Sequence, residues 1–341
     1  MKTLEIFDVS PYFYTAENVD KYTSRMVGGF PVGGLQYFLK FLSLALKVNN
    51  DVVLCFDSRS FRRDLSDDYK SHRKRNYSIY AQIEFLIEHL EKCGIPCYKV
   101  DGFEADDLIH TAVMQNYKNY AYLNMHGCDH DLAHNIVDSK VKLCAINSNS
   151  NTITEQNFGT ALDKSQYILF NTISIYKVLT GDKSDNIKPF VSETGVTGLE
   201  VYKELTNFVL ENPKANNYII TSNRQLLDLV IKLKYPNFTA NDLAFIENNI
   251  KLVFPKRANI ELRPVCKSDI NLSKFIELCR MVGALEAQRC FGSFELATPA
   301  DREYLAKRGK RFINGEFAVD NDLPITPLDS TGEILFCREF D

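Results

Sequence analysis

Short acidic clusters recur along the first half of this chain, each closing an apolar run: Asp8; Asp57; Glu104, Asp106 and Asp107; Asp129 and Asp131; Asp182 and Asp185. A single carboxylate at a strand end is ordinarily just solvated. The series is a stronger constraint. If the apolar runs are strands of one parallel sheet, their carboxyl ends fall along one edge, where open α/β sheets bind ligands. Carboxylates cannot crowd there as bare anions, because like charges push protons back on. Mg²⁺ resolves the conflict, since it takes oxygen ligands and bridges carboxylate to phosphate. The pattern predicts metal-dependent phosphodiester chemistry.

The runs themselves read as an α/β fold. Leu4–Val9 and Asp51–Phe56 are buried strands delivering Asp8 and Asp57, and Pro96–Val100, Tyr120–Met125 and Val141–Ile146 follow as further strands. Between them, Leu35, Phe38, Leu39, Leu42 and Leu46 mark one helix face, and Ile83, Leu86, Ile87 and Leu90 another. Leu108, Ile109, Ala112 and Val113 give a third, and Ile168–Leu179 is a helix running into Gly181. Alternating strands and helices predict a mainly parallel central sheet flanked by helices. Beyond Ile187 the pattern turns helical, with candidates at Leu199–Leu210, Gln225–Lys234, Asp242–Lys251 and Leu272–Leu285.

Composition sets the class. The chain has 341 residues, is 45% hydrophobic and carries a net charge of −4. No apolar run reaches membrane-spanning length, and the sequence opens directly into a strand, so neither a membrane span nor a leader is expected. The nine cysteines follow no disulfide or zinc spacing, which fits free thiols in a reducing cytoplasm. The acidic total does not exclude nucleic acid, because charge distribution matters more than the sum. A basic stripe lies between Arg59 and Arg75, with Arg62, Arg63, Lys70, Arg73 and Lys74 among its members.

Each acidic cluster has a plain alternative. Glu104, Asp106 and Asp107 could simply complement a helix dipole. Asp129 and Asp131 could be a polar turn, and Asp182 and Asp185 a capped helix start. Joined in order, however, the segments resemble the flap endonuclease and 5′-nuclease family, which includes the 5′-nuclease domain of bacterial DNA polymerase I and free-standing phage enzymes. The resemblance rests on Phe56-Asp57, Phe61-Arg62, Tyr69-Lys70 and Arg73, then Glu104-Ala105-Asp106-Asp107. Asp129-x-Asp131-Leu132 and Gly181-Asp182-x-x-Asp185-Asn186-Ile187 complete it.

That resemblance implies a PIN-like 5′-nuclease core at residues 1–186 with a helical arch at about 58–80. It implies a helical DNA-binding part at 187–297 and leaves 298–341 as a C-terminal extension. By likeness, Asp8, Asp57, Glu104 and Asp106 hold or orient a first metal ion. Asp129, Asp131, Asp182 and Asp185 form a second group, with Asp107 supplementary. The cofactor implied is two or more Mg²⁺ ions, with Mn²⁺ as a substitute. Lys70 and Arg73 become the catalytic phosphate contacts, and Tyr69 a base-stacking platform. Arg62, Lys74, Arg75, Gly195 and Gly198 join them as nucleic-acid contacts. In one place the chain departs from the family. The stretch Ile187–Glu200 keeps Gly195 and Gly198 but lacks the tight Gly-x-Gly and the lysine after it, while Glu193 and Glu200 add negative charge. The departure weakens the duplex grip and the bound potassium ion that the resemblance would otherwise imply there.

The activity expected is 5′-3′ exonucleolytic or flap cleavage of branched or nicked DNA, or of RNA–DNA hybrids during primer removal, in a bacterial or phage-infected cytoplasm. A related metal-dependent ribonuclease and a nuclease-dead module binding branched DNA are the alternatives. The tail Glu333–Asp341 is a candidate dock for a replication protein.

Overall fold

The computed structural model describes residues 2–73, 76–136, 138–146, 152–153, 172–212 and 223–313. Its centre is a six-stranded sheet made of β1 (Thr3–Asp8), β4 (Asp51–Phe56), β5 (Cys97–Lys99), β6 (Tyr122–Gly127), β7 (Val141–Ala145) and β8 (Thr152–Ile153). The order is β5-β4-β1-β6-β7-β8, parallel throughout except for the β7–β8 pair. The chain starts in the middle. It adds β4 and β5 on one side, then crosses to lay β6 and β7 on the other. The order therefore reverses at β1, and the crevice at such a switch point is where α/β sheets take ligands. Asp8 is the last residue of that strand.

Both faces of the sheet are covered, which is why its strands are apolar runs rather than alternating ones. Side chains still alternate. Phe7, Val52, Leu54 and Phe56 point into one core, while Leu4, Ile6, Val53 and Cys55 point into the other. The first core is closed by α1 (Ser10–Glu17), α2 (Gly33–Lys47) and α4 (Tyr77–Lys92), with Phe38 and Phe85 wholly buried. The second is closed by α5 (Ala105–Asn116) through Leu108, Ile109 and Ala112. Burying one such Phe or Leu is worth roughly 1.5–3 kcal/mol.

A third core is helical and is built on α6 (Ile173–Thr180). Ile175, Val178 and Leu179 pack against α7 (Gly198–Glu211), α8 (Asn223–Lys234) and α9 (Ala240–Val253). The chain then returns to the sheet. Val265 bridges Val52 at the edge of β4, and Phe275 and Leu278 of α10 (Leu272–Met281) join the first core. The expected helix Leu272–Leu285 is broken, because Gly283 adopts φ +70° and a separate short α11 (Leu285–Arg289) follows. Among the elements not read from the sequence are α1, β8, the two-residue ladder of β2 (Met26–Val27) with β3 (Phe30–Pro31), and α12 (Pro299–Ile313).

The stretch read as an arch holds α3 (Arg62–Leu65), then turns through His72, with α4 beginning at Tyr77. It folds down onto the acidic cluster instead of standing away from it. Two hydrogen bonds dock it: Lys70 N–H donates to the Asp185 carbonyl at 3.2 Å, and the Asn186 side-chain amide donates to the Asp68 carbonyl at 3.1 Å. Lys70 and Asn186 both hold positive φ, +51° and +59°. Such backbone costs a non-glycine residue about 1–2 kcal/mol, and it persists where surrounding contacts fix it. No helix among the described residues is long and apolar enough to cross a membrane.

Candidate active site

Four parallel strands deliver carboxylates to one edge. Asp8 ends β1 and is buried, and Asp57 follows β4. β5 leads through a turn to Glu104, Asp106 and Asp107 at the start of α5, and β6 leads to Asp129 and Asp131. Asp182 and Asp185 arrive from the loop after α6. Local structure aims each of them. The Asp57 carboxylate accepts the Ala105 N–H at 3.0 Å, tying the end of β4 to the first turn of α5. Asp129 accepts the Asp131 N–H at 2.9 Å, which turns the chain into a 3₁₀ segment at His130–Asn135.

Electrostatics sorts these groups. Burial raises the Asp8 carboxyl well above the usual range, and Asp57, Asp106 and Asp129 push it further. Burial does the same to Asp106, with Asp129 its strongest carboxylate neighbour. The couplings therefore cross the two metal groups implied by resemblance. Glu104 behaves in the opposite way. Burial works against its charge, but Lys70, Arg62 and the Tyr69 hydroxyl together hold its carboxyl below the ordinary range. Lys70 Nζ donates to Glu104 Oε1 at 2.7 Å and stands 3.6 Å from Asp185. Arg73, 48% exposed at the side chain, reaches Asp185 Oδ1 at 2.7 Å.

Asp8 Oδ1 is buried with no hydrogen-bond donor among the described residues. Asp131 Oδ1 and Asp182 Oδ2 likewise accept no well-angled bond, but both lie against the Lys177 ammonium and so are in ionic contact. Among the described residues, no group of three acidic, histidine or cysteine side chains is gathered into a ready-made coordination shell. The donor set nevertheless fits a hard cation. An orphaned buried carboxylate oxygen, facing carboxylates that repel one another, is what a divalent ion with oxygen ligands would satisfy. Between Asp106, Asp131, Asp182 and Asp185 the cleft encloses about 30 Å³. That is room for a water or two, or a small ion.

A 5′-3′ exonuclease of Mycoplasma pneumoniae is 31% identical over 214 residues, which are 59% of this chain and 68% of that one. The chain belongs to the 5′-3′ exonuclease family. The family model described as the 5′-3′ exonuclease N-terminal resolvase-like domain matches residues 6–163. DNA polymerase I of Borreliella burgdorferi is 28% identical over 279 residues, 80% of this chain, and the match spans only 30% of that polymerase. Among solved structures, phage T5 5′-exonuclease with bound divalent metal ions (zinc) is 15% identical, with 91% of this chain and 99% of that one covered and a TM-score of 0.48.

Within this exonuclease-family chain, several expected roles change. Asp107 is not free to meet a metal. Arg62 Nη1 and Nη2 each bond one of its oxygens at 2.8 Å, and the Glu104 and Lys256 N–H groups donate to it as well. Four donors fill its acceptor sites. Arg62 is not a nucleic-acid contact either. It is 3% exposed, and its remaining bonds go to Glu104 and the Leu252 and Phe254 carbonyls, so every N–H is used. Tyr69, also 3% exposed, packs with Ile187 and Leu252 while its hydroxyl donates to Glu104 at 2.9 Å. A buried ring cannot stack on a base. Lys74 and Arg75 lie outside the described residues, as does the Glu333–Asp341 tail.

Gly195 and Gly198 also have other work. Gly195 turns the chain at φ +88°, and a Cβ on Gly198 would sit 1.8 Å from the Leu179 carbonyl, so α7 needs glycine there to pass α6. The neighbouring amides are already taken. Glu193 N–H donates to Asp242 at 2.9 Å, Thr197 N–H to Glu200 at 2.7 Å, and Val196 N–H to the Ser192 hydroxyl at 2.8 Å. The donors that would cradle a phosphate are capped from within.

Sequence reasoning missed Lys177, Ser174 and Asn135 along the cleft. One signal was present: Lys177 is a lone cation inside the apolar run Ile173–Leu179, one turn before Gly181-Asp182. Behind the cleft, burial pulls the His134 imidazole down to about 3, so it stays neutral, and its Nδ1 pairs with the Ser174 hydroxyl at 2.8 Å.

Proposed function

We propose that this chain hydrolyses phosphodiesters near the 5′ ends of branched or nicked DNA, as a Mg²⁺-dependent 5′-3′ exonuclease or flap endonuclease acting in primer removal. One observation carries the reading. Asp8, buried, and Asp106, half-buried, repel one another and sit with Asp57 and Asp129 at the switch point of the sheet, near the Lys70 ammonium. A fold has no structural reason to assemble uncompensated anions there, because the arrangement destabilises it. It is the arrangement that metal binding rewards.

Asp8, Asp57, Asp106 and Asp129 are the residues that would hold the ion. Bound there, a divalent cation lowers the pKa of water and shares the charge of the reacting phosphate. The chain supplies the rest. Lys70 is a fixed positive charge at the rim of the cluster, preorganised for a phosphate oxygen and already paired so that it needs little reorganisation. Arg73, half in solvent, offers a second cation as a planar fork. The cleft beside these residues is lined by Asp106, Asp131, Asp182 and Asp185, with Lys177 among them.

Labelled flap, nicked-duplex and RNA–DNA hybrid substrates, each with Mg²⁺ or with EDTA, test this directly. Cleavage near the 5′ end with Mg²⁺, lost in EDTA and in Asp106→Asn, is the expected result. Preference for the hybrid would move the reading to a ribonuclease. Binding of branched DNA without cleavage under any metal would leave a nuclease-dead module.

A further inference from the structure

Lys177 joins two carboxylates that come from different segments. From α6 its ammonium contacts Asp131 Oδ1, at the turn after β6, and lies 2.5 Å from Asp182 Oδ2, in the loop beyond α6. The side chain is only 16% exposed. Its position is set by the helix beneath it. One turn earlier, Ser174 is bonded to His134, and Ile175, Val178 and Leu179 are locked in the helical core. The other Asp182 oxygen is satisfied by the Ser184 N–H and hydroxyl, at 2.8 and 2.6 Å. This half of the site is therefore compensated from within, whereas Asp8 Oδ1 has no donor among the described residues.

We propose that Lys177 is a built-in cation for the Asp131–Asp182 half of the site, so that a divalent ion binds there only by displacing its ammonium. The Asp8–Asp106–Asp129 half takes its ion without that competition. The inference rests on the divalent-metal reading above. Its physics is simple: one positive charge already shared by two carboxylates leaves little net attraction for a second cation, and two cations side by side repel. The four-carbon lysine stem is flexible enough to swing aside, so displacement has a cost but no steric bar. The two halves then fill in order, the second only at higher metal concentration. Without metal, Lys177 keeps Asp131 and Asp182 from forcing the loop off α6.

The test is Mn²⁺ titration of the full chain without nucleic acid, reading free Mn²⁺ by electron paramagnetic resonance, with Tm measured alongside. Wild type should show one tighter and one weaker class of site. K177M should tighten the weaker class on the order of tenfold, leave the tighter class in place, and gain more Tm from Mn²⁺ than wild type. K177R, which keeps the charge, should retain the wild-type pattern. If K177M unfolds without metal, restoration by Mn²⁺ supports the proposal and failure to restore overturns it. A folded K177M whose weaker class is unchanged or lost also overturns it. A wild-type chain that binds no Mn²⁺ sinks the metal-dependent reading itself, a result distinct from equal affinities in wild type and K177M.

Discussion

Arg62 and Asp107 meet as a buried two-point pair, each guanidinium nitrogen 2.8 Å from its own carboxylate oxygen, on the floor beneath the acidic cluster. The pair clamps α3 to the first turn of α5, and Arg62 also reaches the Leu252 and Phe254 carbonyls at the end of α9. Three segments distant in sequence are held by one cation. Breaking such a pair from one side leaves a buried charge uncompensated, which costs about 3–5 kcal/mol. Asp107→Ala should lower the urea midpoint accordingly. Arg62→Lys should follow it, because an ammonium cannot reproduce the fork. A near-wild-type midpoint in both variants would return Asp107 to the metal set.

Asp106→Asn should behave in the opposite way. It removes a charge that Asp129, Glu104 and Asp57 oppose, so the metal-free fold gains while cleavage is abolished. A Tm rise of about 2–4 °C in EDTA is expected for each kcal/mol relieved. Calorimetry of the purified variant beside a cleavage assay measures both, and full activity would sink the assignment.

pH should carry the same signature. Asp8 and Asp106 have folded-state pKa values above the ordinary 3.8 of an unfolded aspartate. Their destabilisation is absent below the unfolded value and fully present above the folded one. Metal-free stability therefore rises as pH falls from neutral. Glu104 and Asp182, held below the ordinary range, lose their stabilisation only further down, as pH falls through their folded values. Urea unfolding in EDTA should show greatest stability at mildly acid pH, about 5. Mg²⁺ should flatten the slope toward neutral pH. A stability that climbs steadily to pH 8 in EDTA would contradict it, roughly reversing the linkage.

Lys70→Ala should slow the chemical step more than it weakens binding, because a charge directed at the reacting phosphate acts in the transition state. Single-turnover rates on a flap substrate separate the two. Weaker binding at an unchanged rate would make Lys70 a docking contact.

Gly195→Ala should cost about 1–2 kcal/mol, since its φ of +88° suits only glycine and the space around it is open. Duplex affinity and its dependence on salt should not change, because the amides of this turn already serve Asp242, Glu200 and Ser192. A flatter plot of log affinity against log salt would show that the turn does hold phosphate.

The strands, the helix faces and the order of the acidic clusters were legible because burial on both sides of a parallel sheet leaves continuous apolar runs. Spacing also picked out Arg62, Tyr69 and Asp107, but spacing carries no information about which way a side chain turns. All three turn inward. Lys177 was hidden for a related reason: a single lysine among apolar neighbours is normally solvent-facing, and only the packing of α6 points it at Asp131. Polar composition masked α12, which buries Leu305 and lays Arg308 over Phe85 and Tyr304. Its hold on the fold comes from aromatic faces and the stem of a cation, which no hydrophobic count registers.

The order of the sheet has a consequence for the cell that makes this chain. Asp8 is synthesised first, yet its strand stays incomplete until β4 and β6 flank it, and Asp182 and Asp185 follow much later. No stretch of neighbouring residues holds the cluster by itself. A partly unfolded chain therefore carries every acidic motif in its sequence without assembling the cluster they form. The cluster is a property of the completed fold.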